Sequence, residues 1–271
     1  MISAMPRIAI AVHDFAGAVS TFRHEFGMPV VDFSERTVPS LGAHVGMCVP
    51  DGGSNIELMA PADPELPLSQ ALQKFLDRRG EGLYALMLEA PDPQAEAEDL
   101  LERGVKVLPL MEGAGGRDIH PTATHGVLIR VYPNDSAPTG SGHRSAEPHL
   151  SGITRAIVAT NDAAVAADAY AGGLGLDVDP LTNDDDRGVQ SVLVRPPKGG
   201  VIELVSPTDP TRPLAGEIAR FLDRTGEGMF ALVLRADQPR AAAAQLEERG
   251  LAAAGPSGCG VAAFGTRLLI E

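Results

Sequence analysis

Cysteine is nearly missing from this chain: Cys48 and Cys259, one in each half, are the only thiols in 271 residues. So few thiols exclude a disulfide framework, and neither belongs to a CxxC metal or redox motif. Two buried free thiols are the expectation. Long hydrophobic runs are missing as well. None approaches the roughly 18 apolar residues that span a bilayer, so neither a transmembrane segment nor a membrane partner is expected. Residues Met1 to Val12 lack a basic stretch followed by a long apolar core and a small-residue cleavage site. A cytoplasmic location is therefore expected. Basic residues are also short, with 22 Lys and Arg against 36 Asp and Glu for a net charge of −14. Polyanion binding is driven by clustered cations that displace counterions, so nucleic acid is not an expected partner. A few arginines inside a cavity act locally whatever the overall sign, which leaves a small anionic ligand open.

With 44% hydrophobic and 21% charged residues, the composition is that of a folded globular chain long enough for two domains. Internal repetition divides it. Phe75-Leu76-Asp77-Arg78-Arg79-Gly80-Glu81-Gly82 recurs as Phe221-Leu222-Asp223-Arg224-Thr225-Gly226-Glu227-Gly228. Upstream, Ile56-Glu57-Leu58 matches Ile202-Glu203-Leu204, and downstream the segment ending Glu102-Arg103-Gly104 matches the one ending Glu248-Arg249-Gly250. Three collinear matches mark a duplication. Asn134 to Pro148 is rich in Ser, Gly, Pro and His and has no apolar period. It reads as a linker between domains 1–133 and 149–271.

Within each half, strand and helix periodicities alternate. Ile8 to Val12 reads as a strand, Phe15 to Phe26 as a helix, and Val30 to Ser34, His44 to Val49 and Ser54 to Met59 as three further strands. The last two are joined through Asp51-Gly52-Gly53. The order then restarts with Leu83 to Glu89 as a strand and Pro93 to Arg103 as a helix closed by Gly104. Strands at Val105 to Leu108 and Val127 to Tyr132 follow. The expected fold class is α+β, with four βαβββ modules forming two domains.

Four segments together resemble methylmalonyl-CoA epimerase of the vicinal oxygen chelate superfamily, the glyoxalase/bleomycin resistance/dioxygenase group, across nearly all of each half. They are Arg7 to Asp14, the Ile-Glu-Leu strand, the Phe-Leu-x-x-x-Gly-Glu-Gly segment, and His120-Pro121-Thr122-Ala123-Thr124-His125-Gly126-Val127-Leu128-Ile129. The resemblance implies two vicinal oxygen chelate (glyoxalase-like) domains, each curved into a cup. In that family two histidines, a glutamine or glutamate, and a further glutamate hold a divalent metal that stabilises an enolate. The matching positions here are Arg7, Glu57, Ala85 and Arg130 in the first half, and Arg155, Glu203, Ala231 and Glu271 in the second. Arginine is permanently cationic and has no free lone pair, so no metal and no other cofactor is expected. The family's acid/base glutamate matches Ser40 in the first half and Asp186 in the second.

The resemblance thus offers Glu57, Asp186, Glu203 and Glu271 as candidate catalytic groups, and His44 joins them as an imidazole suited to acid/base work that could face either side of its strand. Arg7, Arg130, Arg155 and His125 are the candidate substrate-binding groups. Two readings of the arginines stay open. They bind a substrate carboxylate or steady an enolate, or they close internal ion pairs, Arg7 with Glu57 and Arg155 with Glu203. Asp186 belongs to Asp184-Asp185-Asp186-Arg187, which also reads as a solvated loop, and His125 also reads as a strand-entry residue. Tyr84, next to Ala85, is expected to face the other way and pack. His13, His24 and His143 read as surface residues.

Two functions follow from the resemblance. One is a metal-independent lyase or isomerase that removes a proton beside a carbonyl of a small carboxylate, thioester or oxygenated aromatic. The other is a protein that sequesters a small molecule without chemistry. An extradiol dioxygenase, which requires two histidines and a carboxylate on iron, fits less well. Pairing of cups within one chain and pairing between two chains of a homodimer both remain open.

Overall fold

The computed structural model describes residues 1–33, 42–113, 115–136, 145–255 and 259–271. Ser40 and His143 lie outside these residues. The first half runs β1 (Ala4–Ala11), α1 (Phe15–His24), β2 (Val30–Asp32), β3 (Ala43–Cys48) and β4 (Asn55–Pro61). After α2 (Pro67–Arg79) come β5 (Gly82–Ala90), α3 (Pro93–Glu102), β6 (Arg117–Ile119) and β7 (Ile129–Pro133). The second half opens with β8 (Ile153–Ala159), α4 (Ala163–Asp168), β9 (Asp177–Val178), β10 (Thr182–Asp184), β11 (Val189–Arg195) and β12 (Val201–Pro207). It closes with α5 (Pro213–Thr225), β13 (Gly228–Leu234), α6 (Pro239–Glu248), β14 (Ala252–Ala253), β15 (Gly260–Ala263) and β16 (Thr266–Ile270). A single bridge, Val107 to Ile119, stands where the strand Val105 to Leu108 was expected.

Local chemistry accounts for where the helices start. Asp14, Asp92 and Asp162 each accept hydrogen bonds from backbone N–H groups of the first turn of α1, α3 and α4, which satisfies donors that would otherwise be orphaned. α2 and α5, which the periodicity did not announce, each start on a proline and end at a glycine with φ near +73°, Gly80 and Gly226. Those end signals suit a helix of this length.

The strand order in the first half is β2-β3-β4-β1-β5-β7-β6, and the second half repeats it as β10-β11-β12-β8-β13-β16-β15-β14. β1 runs parallel to β4 and antiparallel to β5, so the two modules of a half join along their first strands. Alternation gives each sheet two faces. On the outer face Ile8, Ile10, Ile56, Leu58, Leu86 and Leu88 are fully buried together with Phe22 of α1 and Phe26 just after it. On the inner face Ala9, Ala11, Met59, Ala85 and Met87 pack against Leu68, Leu72 and Leu76 of α2. The second half repeats this inner layer with Ile157, Ala159, Val205 and Ala231 against Leu214, Ala215 and Ile218 of α5. Each buried leucine or isoleucine contributes about 1.5–3 kcal/mol. α2 and α5 therefore sit inside the cups and leave only part of each concave face free.

The outer faces of both halves merge into one continuous core that reaches Tyr170, Leu174 and Leu246 of the second half. The Tyr170 hydroxyl donates to the Thr124 carbonyl at 3.2 Å. Ser54 and Ile153 exchange backbone hydrogen bonds at 2.9 and 2.7 Å, and Met5 N–H donates to the Lys198 carbonyl at 2.9 Å. Two symmetric close approaches complete the joint. A Cβ on Gly126 would overlap the Glu227 carbonyl, and one on Gly265 would overlap the Glu81 carbonyl.

Gly126 and Gly265 also hold φ of +81° and +64°, so each alanine replacement carries both strain and a clash. Gly126→Ala and Gly265→Ala should each cost more than about 2 kcal/mol. Gly80→Ala and Gly226→Ala, which have similar φ but nothing within 4 Å of the added Cβ, should cost about 1 kcal/mol. Urea denaturation midpoints measure the difference, and that difference isolates the contact between halves.

Candidate functional site

Arg7 and Glu57 come from adjacent parallel strands and face the same concave side as Ala85 and Met87. All of Arg7, Glu57 and Arg130 are buried. Arg7 Nε donates to Glu57 Oε2 at 3.2 Å and Arg7 Nη1 donates to Ser136 Oγ at 2.9 Å. Ser136 N–H and Oγ in turn donate to Glu89 Oε1 at 2.9 and 2.8 Å. The guanidinium lies 4.5 Å from the Tyr132 ring centroid, an attractive cation–π geometry. Arg130 pairs with Asp118 through two nitrogens, Nη2 donating to Oδ2 at 2.6 Å. Burial disfavours the Arg130 charge, but the bonds to Asp118 reverse that and hold the guanidinium firmly protonated. The first cup thus satisfies its arginines internally. Ser136, within the stretch expected to be a free linker, is one of the groups that does so.

The second cup is arranged differently. Arg155 Nη2 donates to Glu271 Oε2 at 2.6 Å, and its Nε lies 3.3 Å from Glu203 Oε2. That second approach lacks hydrogen-bond alignment: Arg155 Nε and Glu203 Oε2 are both buried without an aligned partner among the described residues. Arg187 Nη1 donates to Glu203 Oε1 at 2.9 Å. The Glu203 side chain is 2% exposed and is therefore a buried carboxylate held between two guanidiniums. Above it opens a cavity of about 700 Å³ whose lining includes Arg155, Arg187, Glu203, Ser191, Asn183 and Asp186. Asp186 is exposed on the turn between β10 and β11, and its carboxylate makes no hydrogen bond or ion pair with a described residue.

Several expectations need correction. β3 pairs antiparallel with β4 so that Met47 opposes Glu57 and His44 opposes Ala60. His44 therefore faces the outer side, where its ring stacks on Phe15 at 5.5 Å, and it does not enter the cup. His125 lies between the halves, its Nδ1 2.8 Å from Glu227 Oε2, and lines a separate cavity of about 600 Å³. Glu271 is not the counterpart of Arg130. β7 aligns Arg130 with Met87, and β16 aligns Leu269 with Val233, so Leu269 takes that place and Glu271 matches Tyr132. Glu271 still reaches Arg155, because positions two apart share a face. Tyr84 turns inward with Ala85, since the β1–β5 register shifts between them, and packs edge-on against Phe75 of α2 at 5.2 Å. Burial pushes the Tyr84 phenol up to about 12.

Arg187, Asp118, Ser136 and Glu89 were not picked out from the sequence. Arg187 ends an acidic run, which read as solvated. A signal was present nonetheless, since its neighbour Gly188 holds φ +68°, as a tight turn that aims a side chain back over the sheet requires.

Corrected for register, the four positions that hold metal in the resembling family carry Arg7, Glu57, Ala85 and Arg130, and Arg155, Glu203, Ala231 and Leu269. One carboxylate among each set of four positions, flanked by guanidiniums, does not suit a divalent ion. Among the described residues no group of three or more His, Cys, Asp or Glu side chains is placed to hold a metal. Among the described residues, too, no helix is long and apolar enough to cross a membrane.

Residues 7–120 match a model of the Glyoxalase/Bleomycin resistance protein/Dioxygenase superfamily, and residues 156–267 match a glyoxalase-like domain model. No curated protein matches the chain. Among solved structures, a mutant 4-hydroxymandelate synthase from Streptomyces coelicolor superposes with a TM-score of 0.65 at 14% identity, over 93% of this chain and 76% of that one. At this identity the likeness speaks for the fold. Methylmalonyl-CoA epimerase from Streptomyces coelicolor, in a complex with 2-nitronate-propionyl-CoA, is 26% identical over 50% of this chain and 100% of its own, with a TM-score of 0.42. The Mycobacterium tuberculosis epimerase is 28% identical over 51% and 90%, with a TM-score of 0.41. With both halves matched, the chain belongs to the glyoxalase/bleomycin resistance protein/dioxygenase superfamily, as two glyoxalase-like domains in tandem.

Proposed function

We propose that the second cup is the working site of a metal-independent lyase or isomerase that moves a proton beside a carbonyl. The observation that carries this reading is the cavity of about 700 Å³ over Glu203, walled by Arg155, Arg187 and Asp186. A small carboxylate, thioester or oxygenated aromatic presents its carbonyl oxygen to Arg155 and Arg187. Their fixed positive charge steadies the enolate that forms when the adjacent C–H bond breaks, the task a metal performs elsewhere in the superfamily. Asp186, unpaired at the cavity wall, accepts the proton. Returning the proton to the opposite face gives isomerisation, and expelling a leaving group from the enolate gives elimination. Glu203 is a positioning residue, since its oxygens orient both guanidiniums. Glu271 occupies Arg155 until ligand displaces it. The first cup serves as support, its charges already engaged by Glu57, Ser136 and Asp118.

One observation favours a second reading, sequestration without chemistry. Arg155 and Arg187 already hold carboxylates of this chain, so a ligand that merely replaces Glu271 would be bound and left unchanged.

Incubation in heavy water with branched acyl thioesters and 2-substituted malonates, followed by proton NMR, separates the two. The enzyme reading expects protein-dependent loss of the α-proton signal, reduced about 10²- to 10⁴-fold in Asp186→Asn. Binding without exchange across the panel leaves sequestration. Exchange that persists in Arg155→Ala/Arg187→Ala removes the arginines from the mechanism. Stoichiometric divalent metal in protein purified without chelator, with activity lost on chelation, would overturn metal independence.

The first cup allows a control. Arg7→Met alone strands buried Glu57 and should cost about 3–5 kcal/mol, whereas Arg7→Met/Glu57→Met should restore most of that stability. Chemical denaturation reads both values, and the double variant should exchange protons at the wild-type rate.

A further inference from the structure

Three arginines gather at a second place in the second half. Arg220 and Arg224 lie one turn apart on α5, Arg267 faces them from β16, and together with Glu217 they line a cavity of about 630 Å³. The Arg267 guanidinium sits 4.6 Å from the Phe230 ring centroid, which fixes its plane. Its one carboxylate partner, Glu217, is 3.7 Å away, at the long end of an ion pair. Arg220 and Arg224 make no hydrogen bond or ion pair with a described residue. Every acid in the described lining of this cavity is accounted for by Glu217. Three cations and one anion leave two positive charges uncompensated at one cavity of a chain whose net charge is −14.

Such a gathering has a cost when empty. Burial lowers the Arg267 pKa, Glu217 opposes that, and Arg224 and Arg220 lower it further by repulsion. The duplicated half supplies an internal comparison. The counterparts of Arg220 and Arg224 are Lys74 and Arg78, but β7 places Leu128 where β16 places Arg267. There the convergence is missing, so neither the fold nor the repeat requires it.

We infer that the cavity between α5 and β16 is a binding site for a phosphate group, either inorganic or carried by a small molecule. Guanidiniums present paired N–H donors that match the oxygens of a dianion, and two uncompensated charges match its charge. Arg267 is four residues from Glu271 on the same strand face, about 13 Å at the usual rise. The site is therefore distinct from the second cup, and its test does not depend on the reading of that cup.

Calorimetric titration of the full chain with inorganic phosphate at low salt tests the assignment. One saturable site is expected, weakened at least tenfold in Arg220→Gln/Arg224→Gln and in Arg267→Leu, which copies the first half. Lys74→Gln/Arg78→Gln should bind as the wild type does. Phosphate should also raise the melting temperature of the wild type. Without ligand, Arg220→Gln/Arg224→Gln should melt higher than the wild type, because repulsion has been removed. Absence of saturable binding overturns the proposal, as does wild-type affinity in the α5 variant or the β16 variant. Malonate binding as tightly as phosphate overturns the choice of phosphate.

Discussion

A guanidinium and a carboxylate at the floor of each cup are the constraint around which the rest is arranged. Arg7 faces Glu57, and Arg155 faces Glu203, on neighbouring parallel strands. Taking such charges out of water costs several kcal/mol per ion, and a single partner does not recover it. Each arginine therefore needs further acceptors, and the halves find them differently. The first half brings Ser136 and the Tyr132 ring to Arg7 and assigns Asp118 to Arg130. The second brings the exposed side chain of Glu271 to Arg155 and turns Arg187 onto Glu203. Partners drawn from within close the first cup. Partners drawn from an exposed side chain at the rim and from a surface turn leave the second one open.

Much of this architecture was legible. The duplication and the alternation of strands and helices are local features, so they survive in sequence without knowledge of tertiary contacts. The arginine substitutions were equally plain, because Arg7 and Arg155 stand directly before matching apolar runs. What failed were inferences that carry a face across several strands. The side that His44 faces stayed open because its parity depends on the β3–β4 register, and nothing in His44-Val45 reveals that Met47 opposes Glu57. Tyr84 was assigned outward by strict alternation, which the register shift between Ala9 and Ile10 breaks. Phe230 repeats that inward turn against Phe221, so the irregularity is part of how each middle helix is seated.

The helices α2 and α5 were missed for a related reason. The inner sheet face is lined by small residues, Ala9, Ala11 and Ala85 in the first half, and small residues leave room for a helix to lie close. A strand rich in alanine reads as weakly apolar, yet here that poverty of side chain is what lets Leu68, Leu72 and Leu76 be buried. Filling the cup this way leaves free space in the second half at the end where the arginines stand and at the edge beyond Phe230, and in the first half at the edge beyond Tyr84.

The divergence of the two cups comes down to three alternating positions on one strand. On the inner face of β7 and the residue before it they read Leu128, Arg130, Tyr132; on β16 and the residue after it they read Arg267, Leu269, Glu271. Moving one arginine by two residues shifts a positive charge about 7 Å along the strand. In the first half that charge stays central, where it demands Asp118 and helps cover Tyr132. In the second half the centre holds Leu269, which demands nothing, so Arg155 meets an acid at the rim instead of an aromatic ring. The displaced charge reappears as Arg267, beside Arg220 and Arg224, without an acid close enough to balance it. One change of position along a strand thus frees the centre of the second cup and, at the same time, creates the unbalanced positive cavity at its edge.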